Sequence, residues 1–115
     1  MVTIYHNPRC SKSRETLALL QARGIEPEIV RYLETPPDAE TVAILLKKLG
    51  MSSVRQLMRN KEDLYRELGL GRETLSETTL LETLVANPKL IERPIVINGE
   101  QARIGRPPEA VLEIL

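Results

Sequence analysis

Tryptophan and phenylalanine are absent from this 115-residue sequence, and tyrosine occurs only three times. The hydrophobic residues, which make up 42% of the chain, must therefore build a core from Leu, Ile and Val. An excess of charge is also missing, because 16 Lys and Arg balance 16 Asp and Glu. This balance disfavours a nucleic-acid-binding protein that relies on bulk positive charge. The composition predicts one ordered domain over residues 1–115.

Cysteine and histidine are equally scarce, with one residue of each. The single Cys10 excludes an internal disulfide and any metal site made of cysteines alone, and with only His6 beside it no metal shell can be completed. Long hydrophobic runs are missing too. None approaches the roughly 18 residues of a membrane span, and residues 6–9, which are His, Asn, Pro and Arg, interrupt any signal-peptide core. We expect no metal, no bound cofactor and no membrane contact, and a cytoplasmic protein whose thiol stays reduced.

The first third of the chain has the pattern of a βαβ unit. Residues 2–5 alternate and are β-branched or aromatic, which predicts a strand. A helical pattern begins near Ser13 and ends at Gly24, and a second strand is predicted over 28–33. Two strands joined by a helix in this way are expected to be parallel, with a right-handed crossover.

The remainder of the chain divides into a helical segment and a second β-containing segment. Residues 36–88 have helical periodicity without strand patterning, and Thr35 is the predicted N-cap of the first helix there. A turn at Asn98–Gly99 then joins two predicted strands, and a last helix begins at Pro107; the strands are 93–97 and 102–104. The order β-α-β, helices, β-β-α predicts an α/β thioredoxin-like fold: a four-stranded mixed sheet with an all-helical insert at about 36–88.

Cys10 lies in the turn between the first strand and the first helix. Unpaired N–H groups and the positive end of the helix dipole favour a thiolate there. Three cations close in sequence should lower the pKa of the thiol further: Arg9, Lys12 and Arg14. Backbone N–H groups of the loop could hold the oxyanion of a substrate, at Ser11, Lys12 and Ser13. The alternative is a buried and inert cysteine, but the cations and the helix start favour a nucleophile.

The residues around this cysteine leave several readings open. Ser13 stands where dithiol oxidoreductases carry a second cysteine, so it can hydrogen-bond the thiolate or cap the helix. His6 is either a proton donor or ion-pair partner of the thiolate, or a polar residue satisfied at a strand end. Eleven of the 16 basic residues are arginine, which suits planar oxyanions. Three of them could bind such an anion or lie on the surface: Arg59, Arg93 and Arg106.

The segment from Tyr5 to Arg14 resembles the active-site loop of the glutaredoxin-coupled arsenate reductases. Further segments match the same family in order over essentially the whole chain: 32–37, 57–60, 67–70, 93–96 and 103–107. The resemblance implies that Cys10 attacks arsenate and that His6 and Ser13 tune and hold its thiolate. It also implies that three arginines surround the anion and its adduct: Arg59, Arg93 and Arg106. In thioredoxin-like domains the corresponding proline, Pro94, is cis.

The same resemblance implies glutathione as co-substrate and glutaredoxin as partner, which together resolve the adduct and release arsenite. The residues agree, because a protein with one thiol needs an external thiol to resolve its own adduct. Two other functions stay open. One is a glutathione-linked thiol oxidoreductase acting on glutathionylated proteins, since Ser13 suits a one-thiol mechanism. The other is a regulator of the Spx kind that binds RNA polymerase, although such proteins typically use a Cys-x-x-Cys switch.

Overall fold

Four short strands form one mixed sheet in the computed structural model, which describes every residue of the chain. The strands are β1 (Val2–Tyr5), β2 (Glu28–Val30), β3 (Ile95–Asn98) and β4 (Gln101–Ile104). Their order across the sheet is β2-β1-β3-β4, with β1 parallel to β2 and antiparallel to β3, and with β3 antiparallel to β4. The predicted thioredoxin-like architecture is confirmed.

The chain divides into two compact units. The first is Met1–Thr35 together with Arg93–Leu115, and it contains the whole sheet. The second is Pro36–Glu92, which extends four residues beyond the predicted end of the helical insert. None of the helices in either unit combines the length and the apolar character that a bilayer crossing requires. That the two units act as one domain stays a prediction.

The core of the sheet-containing unit is aliphatic, as the shortage of aromatic residues predicts. Ile4 on β1 pairs with Ile29 and Val96 in the neighbouring strands. Ile4 and Val96 are fully buried, and they pack with three more residues: Leu20, Val111 and Ile114. Burial of each such side chain stabilises the fold by about 1.5–3 kcal/mol relative to an exposed one.

Two helices complete this unit. Helix α1 (Ser11–Ala22) begins two residues earlier than predicted, with Cys10 as its N-cap. It ends as expected near Gly24, whose φ of 76° lets its N–H donate to the carbonyl of Gln21. The last helix, Pro108–Ile114, is a 3₁₀ helix that packs against α1 and β4.

Three of the four predicted strands had wrong boundaries, since β3 spans Ile95–Asn98 and not 93–97, and β4 begins at Gln101 and not at 102. β2 ends at Val30 rather than at residue 33, because the carbonyl of Arg31 accepts the N–H groups of Glu34 and Thr35 and the chain turns. In the hairpin, Asn98 is the last residue of β3 and not part of the turn.

The hairpin turn is formed by Gly99 and Glu100, since Asn98 pairs with Gln101. Gly99 is the residue with positive φ, 63°, as in turns that need glycine at the first central position. The Asn98 side chain instead donates to the carbonyl of Ile114 at 2.6 Å, which ties the hairpin to the end of the chain.

The second unit contains helices α2 (Ala39–Leu49), α3 (Asp63–Glu67) and α4 (Glu77–Ala86), and short 3₁₀ helices at Val54–Leu57 and Pro88–Leu90. The N-cap of α2 is Asp38, which accepts the N–H of Thr41 at 2.8 Å, and not Thr35. Consecutive prolines explain the shift, because a proline disfavours helical backbone in the residue before it. One antiparallel bridge, Met58 with Ile91, was not predicted.

Candidate active site

Cys10 occupies the point where the β1–α1 loop becomes helix. Its side chain is buried, with 8% of the residue exposed, and it is a free thiol. Its N–H donates to the carbonyl of Asn7, and its own carbonyl accepts the N–H of Arg14, both at 3.0 Å. These two bonds fix the backbone on both sides of the sulfur. The thiol therefore has a defined position at the N-terminus of a 12-residue helix.

The surroundings of the sulfur favour its ionised form. Burial raises the pKa of the Cys10 thiol, but hydrogen bonds and charge outweigh it, so that the pKa is lowered overall. The contributing groups, in order, are the N–H of Ser13, the side chain and charge of Arg93, and the N–H of Lys12. A larger fraction of Cys10 is consequently thiolate at neutral pH than in an ordinary cysteine.

Two of the three predicted arginines meet at this sulfur. Arg106 Nη2 lies 3.8 Å from Cys10 Sγ, and Arg106 Nε donates to the carbonyl of Arg93 at 2.8 Å. Arg93 is the side chain whose hydrogen bond and charge lower the pKa of Cys10. The Arg93–Pro94 bond is cis, the isomer expected there, and the Arg106–Pro107 bond is cis as well.

Arg59, the third predicted arginine, belongs to the second unit. Its Nη1 is 2.9 Å from the carboxylate of Glu62, and its Nε is 4.0 Å from that of Glu92. Its N–H donates to the carbonyl of Leu90 at 2.7 Å, beside the Met58–Ile91 bridge. Arg59 is thus held in place by backbone and carboxylates. Its role toward Cys10 stays a prediction.

The cations next to Cys10 in sequence make different contacts from those predicted. Lys12 directs its ammonium to Glu15, at 3.5 Å, and contributes to the thiol through its backbone N–H. Arg14 donates to the carbonyl of Pro8 at 2.9 Å and so braces the loop. A cation that lowers the pKa of Cys10 is Arg93, from the segment just before the third strand. That the charges of Arg9, Lys12 and Arg14 lower the pKa of the thiol further stays a prediction.

Two of the N–H groups predicted to hold an oxyanion act on the sulfur, since those of Lys12 and Ser13 lower the pKa of the Cys10 thiol. The Cys10 side chain nevertheless makes no N-cap hydrogen bond. That these N–H groups bind a substrate oxyanion stays a prediction. Ser11 is exposed at the first position of the helix, and its part in anion binding stays a prediction.

Ser13 uses its hydroxyl differently from either expected way. Its Oγ is fully buried, accepts the N–H of Asn7 at 3.0 Å and shares a 2.6 Å hydrogen bond with His6 Nδ1. Burial, and then the charges of Arg31 and Arg14, lower the pKa of His6, so its imidazole is neutral at neutral pH. His6 is therefore a neutral group that contacts the first turn of α1 through the hydroxyl of Ser13.

Asn7, which was not among the predicted site residues, organises the loop. Its N–H donates to Ser13, its side-chain oxygen accepts the N–H of Arg9 at 3.0 Å, and its carbonyl accepts that of Cys10. Asparagine side chains often accept the backbone N–H two residues later and so form turns. This preference is the signal by which Asn7 could have been predicted. Asn7 is buried, with 8% exposed, and positions the cysteine from within the loop.

A buried thiolate beside two guanidinium groups is suited to one kind of chemistry. The sulfur can attack an electrophilic centre, while Arg93 and Arg106 bind and neutralise the oxygens of an anion. No cluster of three or more His, Cys, Asp or Glu side chains is arranged to hold a metal ion. The site can thus act on an oxyanion by covalent attack.

Replacing Arg93 with glutamine should raise the pKa of Cys10, because it removes the cation that hydrogen-bonds the thiolate. The rate of alkylation by iodoacetamide, measured across pH, should then inflect at higher pH than in the wild type, and alkylation at pH 7 should slow several-fold. Arg23→Gln, at the opposite end of α1, is the matched control. An unchanged inflection in Arg93→Gln would contradict the assigned contact.

Comparison with known proteins identifies the family of this chain. The ArsC family profile matches residues 5–114. The uncharacterized protein YfgD of Escherichia coli (strain K12) is 66% identical over 99% of this chain and 96% of its own length. An arsenate reductase of Haemophilus influenzae is 54% identical over 99% of this chain and 98% of its own. The solved arsenate reductase from Vibrio cholerae has a TM-score of 0.97 and 58% identity, covering 99% of this chain and 97% of that one. The chain belongs to the ArsC family.

Proposed function

We propose that this protein is an arsenate reductase that uses Cys10 as its nucleophile. The observation that carries the proposal is the sulfur of Cys10 with a lowered pKa and with Arg106 Nη2 3.8 Å away. Relatives that are arsenate reductases align with essentially the full chain. A nucleophile and anion-binding cations at one point are what covalent attack on an arsenic oxyanion requires.

In the first step the Cys10 thiolate attacks the arsenic atom of dihydrogen arsenate. A sulfur–arsenic bond forms, and one hydroxyl leaves as water after taking up a proton, so arsenic stays in the +5 state. Arg93 and Arg106 bind the arsenate oxygens, and we assign the same task to Arg59. Guanidinium groups suit this because their planar donors match oxyanions and keep their charge.

The electrons come from two external thiols, since the protein has one cysteine. Glutathione displaces a second hydroxyl of the adduct as water and binds arsenic through sulfur. Glutaredoxin then attacks that glutathione sulfur, a mixed disulfide forms, and the bonding pair remains on arsenic, which becomes +3. Water cleaves the Cys10–arsenic bond, releases arsenite and regenerates the thiol. We place this reaction in the cytoplasm, where glutathione keeps thiols reduced.

His6 and Ser13 are assigned to holding the loop in the geometry the thiolate needs. Their shared hydrogen bond, together with that from Asn7 to Ser13, ties the end of β1 to the first turn of α1. The neutral imidazole suits a positioning role better than an ion pair with the thiolate. Asn7 shares this role through its bonds to Arg9 and Cys10.

A coupled assay tests the proposal. The protein is incubated with arsenate, glutathione, glutaredoxin, glutathione reductase and NADPH, and both NADPH oxidation and arsenite are measured. One NADPH should be consumed per arsenite, and omission of glutaredoxin should slow the reaction strongly. Phosphate and selenate serve as control oxyanions.

The competing hypothesis, a reductase of glutathionylated proteins, is tested in the same assay with a glutathionylated peptide in place of arsenate. The expected result is arsenate-dependent turnover well above that with the peptide. Turnover of the peptide without arsenite formation from arsenate would overturn the proposed function and favour the thiol oxidoreductase.

A further inference from the structure

A cavity of 410 Å³ opens beside the loop that carries Cys10. One wall is residues 6–9 of the β1–α1 loop, and the other is the turn after β2, which contributes Arg31, Leu33 and Glu34. Cavities of roughly 300–1,000 Å³ are typical of small-molecule sites. Both walls belong to the sheet-containing unit, and the residue immediately before Cys10 lines the cavity.

The charged side chains of this cavity make no hydrogen bond or ion pair, although the charge of Arg31 also lowers the pKa of the neighbouring His6. Arg9, Arg31 and Glu34 are exposed, and no hydrogen bond or ion pair engages their charged groups. Other cations of the same loop and helix are engaged, since Lys12 pairs with Glu15 and Arg14 donates to a backbone carbonyl. Two guanidinium groups and one carboxylate are therefore left available around one cavity.

The arrangement of these charges points to a zwitterion and not to a simple anion. Arg9 and Arg31 would attract any anion, but Glu34 would repel an oxyanion that carries no positive group, such as phosphate or arsenate. A ligand that carries carboxylates together with an ammonium satisfies all three groups. Pro8 and Leu33, the latter 45% exposed, add apolar surface for a short side chain between the charged ends.

We propose that this cavity binds glutathione, the thiol that attacks the arsenic adduct. This inference rests on the proposed function, because it assigns a place to the co-substrate of that reaction. Glutathione has two carboxylates and one ammonium, which match in number and sign the two guanidinium groups and one carboxylate of the cavity. Arginine donates to carboxylates in pairs of hydrogen bonds, so Arg9 and Arg31 bind the two carboxylates and Glu34 binds the ammonium.

Kinetics with two variants test the assignment. Arg31→Gln and Glu34→Gln should each raise the KM for glutathione about 5–10-fold, the effect of losing one solvent-exposed charge-assisted contact. The KM for arsenate should change much less than the KM for glutathione. Arg23→Gln, which removes an exposed arginine away from the cavity, should leave both constants at wild-type values.

Direct binding separates this inference from the proposed function. Calorimetric titration with S-methylglutathione, which cannot react, should show weaker binding to both cavity variants than to the wild type. N-acetylglutathione, which lacks the ammonium, should bind the wild type more weakly than glutathione does, and Glu34→Gln should lose that discrimination. Equal binding by wild type and variants would overturn the inference even if arsenate is reduced. Binding as expected without arsenate turnover would support the cavity and refute the reductase.

Discussion

Cys10→Ser should abolish arsenate reduction while the protein stays folded. The serine hydroxyl is not ionised near neutral pH and cannot replace a thiolate as nucleophile. Loss of a covalent nucleophile typically lowers kcat by ~10⁴-fold or more, so arsenite formation in the coupled assay should fall to background. Undiminished turnover in this variant would rule out the proposed mechanism.

The position of Cys10 makes this variant unusually easy to interpret. Cys10 is the N-cap of α1 but makes no side-chain capping hydrogen bond, although the N–H groups of Lys12 and Ser13 lower the pKa of its thiol. Serine is a preferred N-cap residue, and its hydroxyl can accept the free N–H groups of the first helical turn. Cys10→Ala cannot accept them and should be less stable than Cys10→Ser by about 0.5–2 kcal/mol. Urea unfolding of both variants checks this, and both should be inactive.

Much of the fold could be predicted because its signals are local. Alternating residues in β1, the helical pattern ending at Gly24 and the turn before β4 each lie within a few neighbouring residues. Boundaries were less certain where two local signals compete. Thr35 and Asp38 are both good N-caps, and the choice between them depends on the backbone that the intervening prolines allow.

The contacts of the site depend on strand register, which the sequence alone does not determine. Tyr5 at the end of β1 pairs with Ile95 at the start of β3, so the residues just after β1 and just before β3 lie at the same edge of the sheet. That antiparallel pairing is what brings Arg93 to Cys10 from 83 positions along the chain. Lys12 and Arg14 are nearer to Cys10 in sequence, but their side chains bind Glu15 and the carbonyl of Pro8. Side chains on successive residues of a helix point in different directions, so closeness in sequence does not bring them to the sulfur.

Ser13 illustrates a second reason for the incomplete prediction. Its place three residues after Cys10 made it a candidate site residue, but the role of a hydroxyl depends on which groups tertiary packing brings within reach. His6 and Asn7 occupy it in the structure. Asn7 itself was overlooked because asparagine before proline is common in ordinary turns.

Gly105→Ala should destabilise the protein strongly, although alanine adds a single methyl group. A Cβ at this buried position would lie 2.5 Å from Thr16 Oγ1 and 2.9 Å from Pro94 Cγ. Neither neighbour can move easily. Thr16 is fully buried and donates to the carbonyl of Lys12 at 2.8 Å, while the ring of Pro94 is rigid and its carbonyl accepts the N–H of Gly105 at 2.9 Å.

The expected loss is about 3 kcal/mol of unfolding free energy, at the upper end of the usual cost of overpacking. Urea denaturation measures it, with Gly71→Ala as the matched control, since a Cβ there would meet only Tyr65 Cε1 at 3.8 Å. Adding Thr16→Ala to Gly105→Ala removes the closest contact and should recover part of the loss. A Gly105→Ala protein as stable as the control would mean that the end of β4 lies farther from Thr16 and Pro94 than the structure has it. The packing that holds Arg93 and α1 around the thiol would then need revision.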